Sequence, residues 1–236
     1  MVPQRNVVLT IEELLMPKSP EEQACTPELL DKDGFNPLAV LPYGLKADHM
    51  RAAMQEFIDF LGFVNVQLYS KNIPRLESML MAANFSSMVG EFITANIPKY
   101  CKTIAKNHYH NGHPDLIPAG IFKGDAVQYA HDGVEVKASR YKKNWQGHNP
   151  EEIFLVVFVF DGNGPRDSYQ QIAPIPFRFK MVVGASLKKD DWKFAGRSGE
   201  SRRTITASVT RSGYEKMVRN WIYMSPDMKV TLLNAK

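Results

Sequence analysis

The spacing of apolar positions changes character three times along the chain. Up to about residue 45 no period holds: Pro3, Pro17, Pro20, Pro27, Pro37 and Pro42 interrupt short polar and apolar pieces. That predicts an N-terminal arm over 1–45, with one short helix near 10–15, packed on the body or on a partner subunit. From Lys46 to about Leu61, the residues Met50, Ala53, Met54, Phe57, Ile58 and Leu61 recur at helical spacing with Asp48 near the start, so an amphipathic helix is expected. A second helical region is expected from about Pro74, well placed for a first turn, to Lys106, broken near Asn84 and again around Pro98.

After Asn107 the helical period gives way to short runs rich in β-branched and aromatic residues: DLIPAGIF, VQYA, VEVKASR, IFLVVFVF, FRFKMVVGAS and TITASV. Turn signals such as His131-Asp132-Gly133 and Asp161-Gly162-Asn163-Gly164 separate them. Helical spacing returns at about 212–222, where Tyr214, Met217, Val218 and Trp221 share a face. Helices, then a sheet, then a closing helix predict one mixed α/β domain over 46–236, its central strand 153–160 buried on both faces. Phe57, Leu61, Phe92, Phe158, Phe160 and Trp221 are the expected core, and the eleven methionines fill gaps in it.

Within this pattern GVEVKASR, residues 133–140, is the segment that points to chemistry. Side chains alternate across a strand, so Val134, Val136 and Ala138 form an apolar face while Glu135 and Lys137 project together on the other. Neighbouring Glu and Lys on a half-exposed strand are ordinarily solvated charges, so the segment acquires meaning only from what surrounds it.

Composition narrows the options. The 236 residues are 44% hydrophobic and 23% charged, enough apolar material for a core and too much for a disordered chain. A formal net charge of +4 permits a polyanionic partner without demanding one. Cys25 and Cys101 form no CxxC pair, which argues against a disulfide framework or a thiolate zinc site and suits a reducing cytoplasm. The first residues lack the pattern of a secretory signal, and the longest apolar run, 153–160, is strand length, so a cytoplasmic protein without membrane spans is expected.

Twenty residues before Glu135, HPDLIPAG places Asp115 after a proline at the entry to the first expected strand. Pro114-Asp115, a spacer with a hairpin turn, Glu135-Val136-Lys137 inside a strand, and then a strongly apolar strand resemble the PD-(D/E)xK nuclease superfamily, in particular type II restriction endonucleases. The resemblance covers roughly residues 85–160. It implies a restriction-endonuclease-like mixed central β-sheet flanked by helices. It also implies a catalytic set of Asp115, Glu135 and Lys137, with Asp115, Glu135 and the Val136 carbonyl as metal ligands and Lys137 as the residue that prepares water. Glu91, in the helical stretch MVGEFITANIP, matches an extra acidic position that in some members supports a second metal; a helix-surface glutamate is the plain alternative. The implied cofactor is Mg²⁺, one ion or two, with Mn²⁺ as a substitute. Carboxylate oxygens suit such a hard cation, which lowers the pKa of water and polarises the phosphate. Asp125 and Asp132 are rival acids better explained by loop and turn.

Two features bear on partners. NHYHNGHPD offers His108, His110 and His113 as a transition-metal set, but the spacing matches no compact zinc motif; support for Asp115, or an ordinary loop, is the better expectation. Basic and polar residues follow the Glu135 strand as Arg140, Lys142, Lys143, Gln146, His148 and Asn149, and recur as Arg197, Ser198, Arg202, Arg203 and Thr204. Such runs are commonly solvated faces, yet beside a nuclease set they are expected to contact DNA phosphates and base edges. Trp145 and Trp192 are further candidates, for stacking on bases. The expectation is therefore an Mg²⁺-dependent endonuclease of double-stranded DNA, sequence-specific and restriction-type, acting as a homodimer because one site per chain cuts one strand. The alternatives are a repair, recombination or phage nuclease, a nuclease-like DNA-binding module without activity, and a small-molecule enzyme with an accidental match.

Overall fold

The computed structural model describes residues 17–147, 149–195 and 206–233; the helix expected near 10–15 lies outside them. Among its described residues the arm contributes one short α-helix, α1 (Pro20–Ala24), capped by the Ser19 hydroxyl, and then runs along the body. Asn36 donates from its side chain to the Trp221 carbonyl and from its main chain to the Ile222 carbonyl.

The periodic stretch after Lys46 becomes α2 (Ala47–Tyr69), two turns longer than the apolar spacing alone indicated. Full apolar burial does end at Leu61, with Val64 and Leu68 half-buried on the same face, but the helix runs on because Asn65 is buried and pinned beyond it. Its amide donates to Glu77 at 2.9 Å and its carbonyl accepts from the Leu76 N–H at 2.9 Å, where α3 (Leu76–Met79) begins. The next helix, α4 (Ala82–Tyr100), is continuous through Asn84 and Pro98. The break falls instead at Leu80 and Met81, which leaves Asn84 in the first turn, and Pro98 lies in the last turn, where it removes one backbone bond and the helix ends two residues later.

Among the described residues nine strands follow Cys101. They are β1 (Ile104–Lys106), β2 (Leu116–Pro118), β3 (Val134–Ser139), β4 (Gln146–Gly147), β5 (Ile153–Asp161), β6 (Arg178–Leu187), β7 (Trp192–Ala195), β8 (Thr206–Val209) and β9 (Trp221–Met224). Between them lie α5 (Pro165–Tyr169) and α6 (Arg211–Arg219), and α7 (Pro226–Leu233) follows the last. Residues 127–130, expected as a strand, contribute only an isolated bridge from Tyr129 to His113. Trp221 is not in the closing helix: α6 stops at Arg219, and Asn220 donates to the Val40 and Gly184 carbonyls, turning WIYM onto the open edge of β6.

The main sheet is mixed and six-stranded, in the order β1-β2-β3-β5-β6-β9. Only β3 and β5 are parallel; all other neighbours are antiparallel. A separate antiparallel sheet has the order β4-β8-β7. Alternation along β5 divides the core in two. Val156, Phe158 and Phe160 pack with Val134 and Val136 against Phe57, Phe85, Val89 and Ile93 of α2 and α4. Leu155, Val157 and Val159 pack against Trp145, Trp192, Ala207, Val209 and Met217, beneath the small sheet and α6. β5 is thus covered on both sides, as an unbroken apolar run requires. Among the described residues no helix is long and apolar enough to cross a membrane.

Candidate active site

The site lies where the sheet forks. β2 pairs with β3 only where Leu116 faces Val134. One further antiparallel step would set Asp115 opposite Glu135, so two carboxylates twenty residues apart in sequence become neighbours across two strands. The ladder does not take that step: Asp115 Oδ2 accepts the Val136 N–H at 2.8 Å, occupying a donor that would otherwise seek a strand partner. Asp115 is held on its other side by the residue that follows β1, since the Asn107 N–H donates to the Asp115 carbonyl at 2.8 Å. Asn107 is itself buried, and its side-chain amide ties the Pro114 carbonyl (3.0 Å) to the Val127 carbonyl (2.8 Å).

Gly133 closes the fork. At φ +151° it occupies backbone space that other residues rarely enter, and an added Cβ would lie 2.3 Å from both the Leu116 carbonyl oxygen and Pro114 Cγ. Gly133→Ala is expected to destabilise the protein by about 2 kcal/mol or more in chemical denaturation, since strain and overlap add. A loss within experimental error would mean that the approach of β2 to β3 tolerates a methyl group.

Glu135 and Lys137 alternate away from the helical core, where Val134, Val136 and Ala138 reside. Lys137 Nζ donates to Glu135 Oε1 at 3.0 Å, with side chains 23% and 14% exposed. Asp115, Glu135, Val136, Lys137 and Glu91 line one cavity of about 270 Å³, together with Ser86, Ser87, Gly90 and Thr94 of α4. Glu91 stands at its exposed rim, 67% accessible and paired with Lys106 at 2.8 Å.

The charges in this cavity are unequal. Burial, followed by the neighbouring Glu135 charge, pushes the Asp115 carboxyl up to about 7 despite the Val136 N–H. Burial works against the Glu135 charge too, but hydrogen bonds and attraction from His113 and Lys137 outweigh it and hold that carboxyl down to about 2. Lys137 is raised above the ordinary lysine value: burial opposes its charge, and Glu135 overcomes the opposition. The pocket therefore contains a fixed carboxylate, a carboxyl near neutrality and a lysine that stays an ammonium.

The flanking candidates are dispersed differently. Lys142, Lys143 and Gln146 line a second cavity of about 840 Å³ that shares Lys137 and Ala138 with the first, and Asn149 is exposed nearby in sequence. Arg140 is turned away from it: its guanidinium donates to the Asn163 carbonyl, lies 3.8 Å from Asp167 and sits over the Phe160 ring at 5.8 Å, so it braces a loop. Trp145 and Trp192 are 3% and 6% exposed, with indole N–H groups satisfied by the Tyr141 and Glu151 carbonyls; they are core and not stacking platforms. His148, Arg197, Ser198, Arg202, Arg203 and Thr204 lie outside the described residues. His108 and His110 do not join a metal set with His113; among the described residues no three His, Cys, Asp or Glu side chains form such a group. Asp125 accepts the Gly120 N–H within its own loop.

Some contributors were not singled out from the sequence. Ser87, Gly90 and Thr94 bring small and polar groups to the cavity at spacings of one helix face, a signal present in the sequence but masked by the apolar face beside it. Glu151, whose carboxylate lies 3.4 Å from His113 Nε2, carries no local signal at all, because the order of β3 and β5 brings it there.

The donor set suits an oxygen-ligated divalent cation. Two carboxylates face one small cavity, and the repulsion that raises Asp115 is the interaction such a cation would relieve. Each Glu135 oxygen that accepts one hydrogen bond retains a further lone pair. Comparison with known proteins finds no matching family model, no matching curated protein and no matching solved structure.

Proposed function

We propose that this protein is an Mg²⁺-dependent endonuclease that hydrolyses phosphodiester bonds of double-stranded DNA. The observation that carries the proposal is the convergence of Asp115, Glu135 and Lys137 on one cavity from two strands that separate at that point. A divalent cation bound there would supply Lewis acidity and a more acidic water. Asp115, Glu135 and the Val136 main chain would hold it, with Mn²⁺ as a substitute and Glu91 in reserve at the rim.

Burial opposes the Lys137 charge and Glu135, 3.0 Å away, outweighs it, which favours the ammonium and a role other than that of the base. Its role is to orient the attacking water and to offset negative charge that grows on the phosphate oxygens, work for which a pre-placed cation needs no rearrangement. The Lys142, Lys143 and Gln146 wall, continuous with the catalytic cavity through Lys137, suits a phosphate backbone leading into the site. A restriction-type enzyme would act as a symmetric homodimer on a palindromic sequence.

The test is incubation of purified protein with plasmid and genomic DNA, in Mg²⁺ and in chelator. Discrete cation-dependent fragments are expected of a sequence-specific enzyme, and a smear of a repair, recombination or phage nuclease. DNA that is retarded but stays intact in both Mg²⁺ and Mn²⁺ would reject catalysis and leave a binding module.

A further inference from the structure

Glu135 is gripped on both oxygens, and only one of its donors belongs to the three-residue set. Lys137 Nζ lies 3.0 Å from Oε1, and His113 Nδ1 lies 3.1 Å from Oε2. The far nitrogen of the same ring, Nε2, lies 3.4 Å from the carboxylate of Glu151, just ahead of β5.

The ring itself has little freedom. It stacks on Tyr129, with centroids 5.5 Å apart and planes 22° from parallel, and the side chain is 19% exposed. Its main chain is clamped to the same segment: the His113 N–H donates to the Gln128 carbonyl at 3.0 Å, and the His113 carbonyl accepts from the Ala130 N–H at 2.9 Å. An imidazole fixed at its plane, its backbone and its outer nitrogen transmits that rigidity to the carboxylate on its inner nitrogen.

We propose that His113 is a positioning residue: braced by Glu151 and Tyr129, it fixes the orientation of the Glu135 carboxylate and so sets the affinity of the cavity for a divalent cation. The inference rests on the cation-binding role proposed for Asp115 and Glu135. It goes beyond that role by assigning a function to the segment 127–130, whose one bridge to His113 would otherwise be a structural detail. Partners that orient ligating side chains are typically worth 10- to 100-fold in metal affinity.

Calorimetric titration with Mn²⁺ alone, without DNA, tests this on the wild type, His113→Ala and His113→Asn, with folding monitored by circular dichroism. His113→Ala should bind Mn²⁺ about 10- to 100-fold more weakly. His113→Asn, whose amide can donate near the place of Nδ1, should recover most of the loss. If the wild type binds no Mn²⁺, the cation role of the cavity fails and this inference with it. If the wild type binds and folded His113→Ala binds equally well, only the positioning role fails. An Asn variant that folds yet binds as weakly as Ala would overturn positioning in favour of direct ligation by the imidazole. One measurement needs no variant. In wild-type protein carrying ¹⁵N-histidine, Mg²⁺ should shift the His113 ring resonances with the midpoint seen for binding, and unmoved resonances would count against the proposal even if both variants misfold.

Discussion

Lys137→Ala is expected to lower DNA cleavage by about 10²- to 10³-fold, the range that one pre-placed donor stabilising developing negative charge commands. DNA binding, measured by retardation in a buffer with Ca²⁺ in place of Mg²⁺, should change little, because Lys142, Lys143 and Gln146 remain on the wall of the neighbouring cavity when the Lys137 side chain is removed. The change has a second consequence. Lys137 is one of the attractions that hold Glu135 ionised, so its removal leaves His113 as the remaining cationic partner and lets the Glu135 carboxyl rise from about 2. A variant that cuts at the wild-type rate would exclude Lys137 from the reaction, and one that loses DNA binding in step with cleavage would make it a phosphate anchor only.

The second large effect is on stability and needs no substrate. Folded Asp115 keeps its proton up to about pH 7, whereas the unfolded carboxyl releases it near 3.8. Between those values the folded state binds more protons, so stability should fall as pH rises through that window. About three pH units at roughly 1.4 kcal/mol each give an upper bound of order 4 kcal/mol. His113 acts in the same direction at the top of the window. Burial opposes its charge but Glu135 outweighs it, so its pKa stands above 6.5 and its contribution is lost as pH rises from there. Glu135 acts oppositely and elsewhere: held at about 2, it loses stabilisation only as pH falls below about 4.5. Denaturant melts of chelated protein between pH 4.5 and 7.5 should therefore show declining stability, and Asp115→Asn should flatten most of the decline. A wild-type profile that rises over this range would show that the Asp115 carboxyl is not strained by its neighbours.

Among residues outside the site, local spacing was a sound guide wherever one pattern ran long enough. Met50 to Leu61 gave a helix and Ile153 to Phe160 a strand covered on both faces, because each such run can satisfy its own period only one way. Spacing failed where an element is short and borrowed its stability from elsewhere. β9 exists because Asn220 stops α6 and β6 offers an open edge, and residues 127–130 form one bridge because Asn107 and His113 take their backbone groups. Arg140 shows the same limit for function: its basic character was legible, but the turn after β3 carried it to Asn163 and Asp167 and away from the second cavity.

The amino-acid order by itself determined the mixed α/β character, the strand that carries Glu135 and Lys137 on one face, and the presence of Asp115 at the entry to another. These are consequences of bonding and alternation within a few residues, which every segment carries with it. Only the tertiary structure decided that β2 and β3 part at Asp115, that Lys137 remains an ammonium and that His113 and Glu151 stand behind Glu135. Each of those depends on how much water is excluded and which charge lies within a few ångströms, and both are fixed by strand order and packing among residues far apart in the chain.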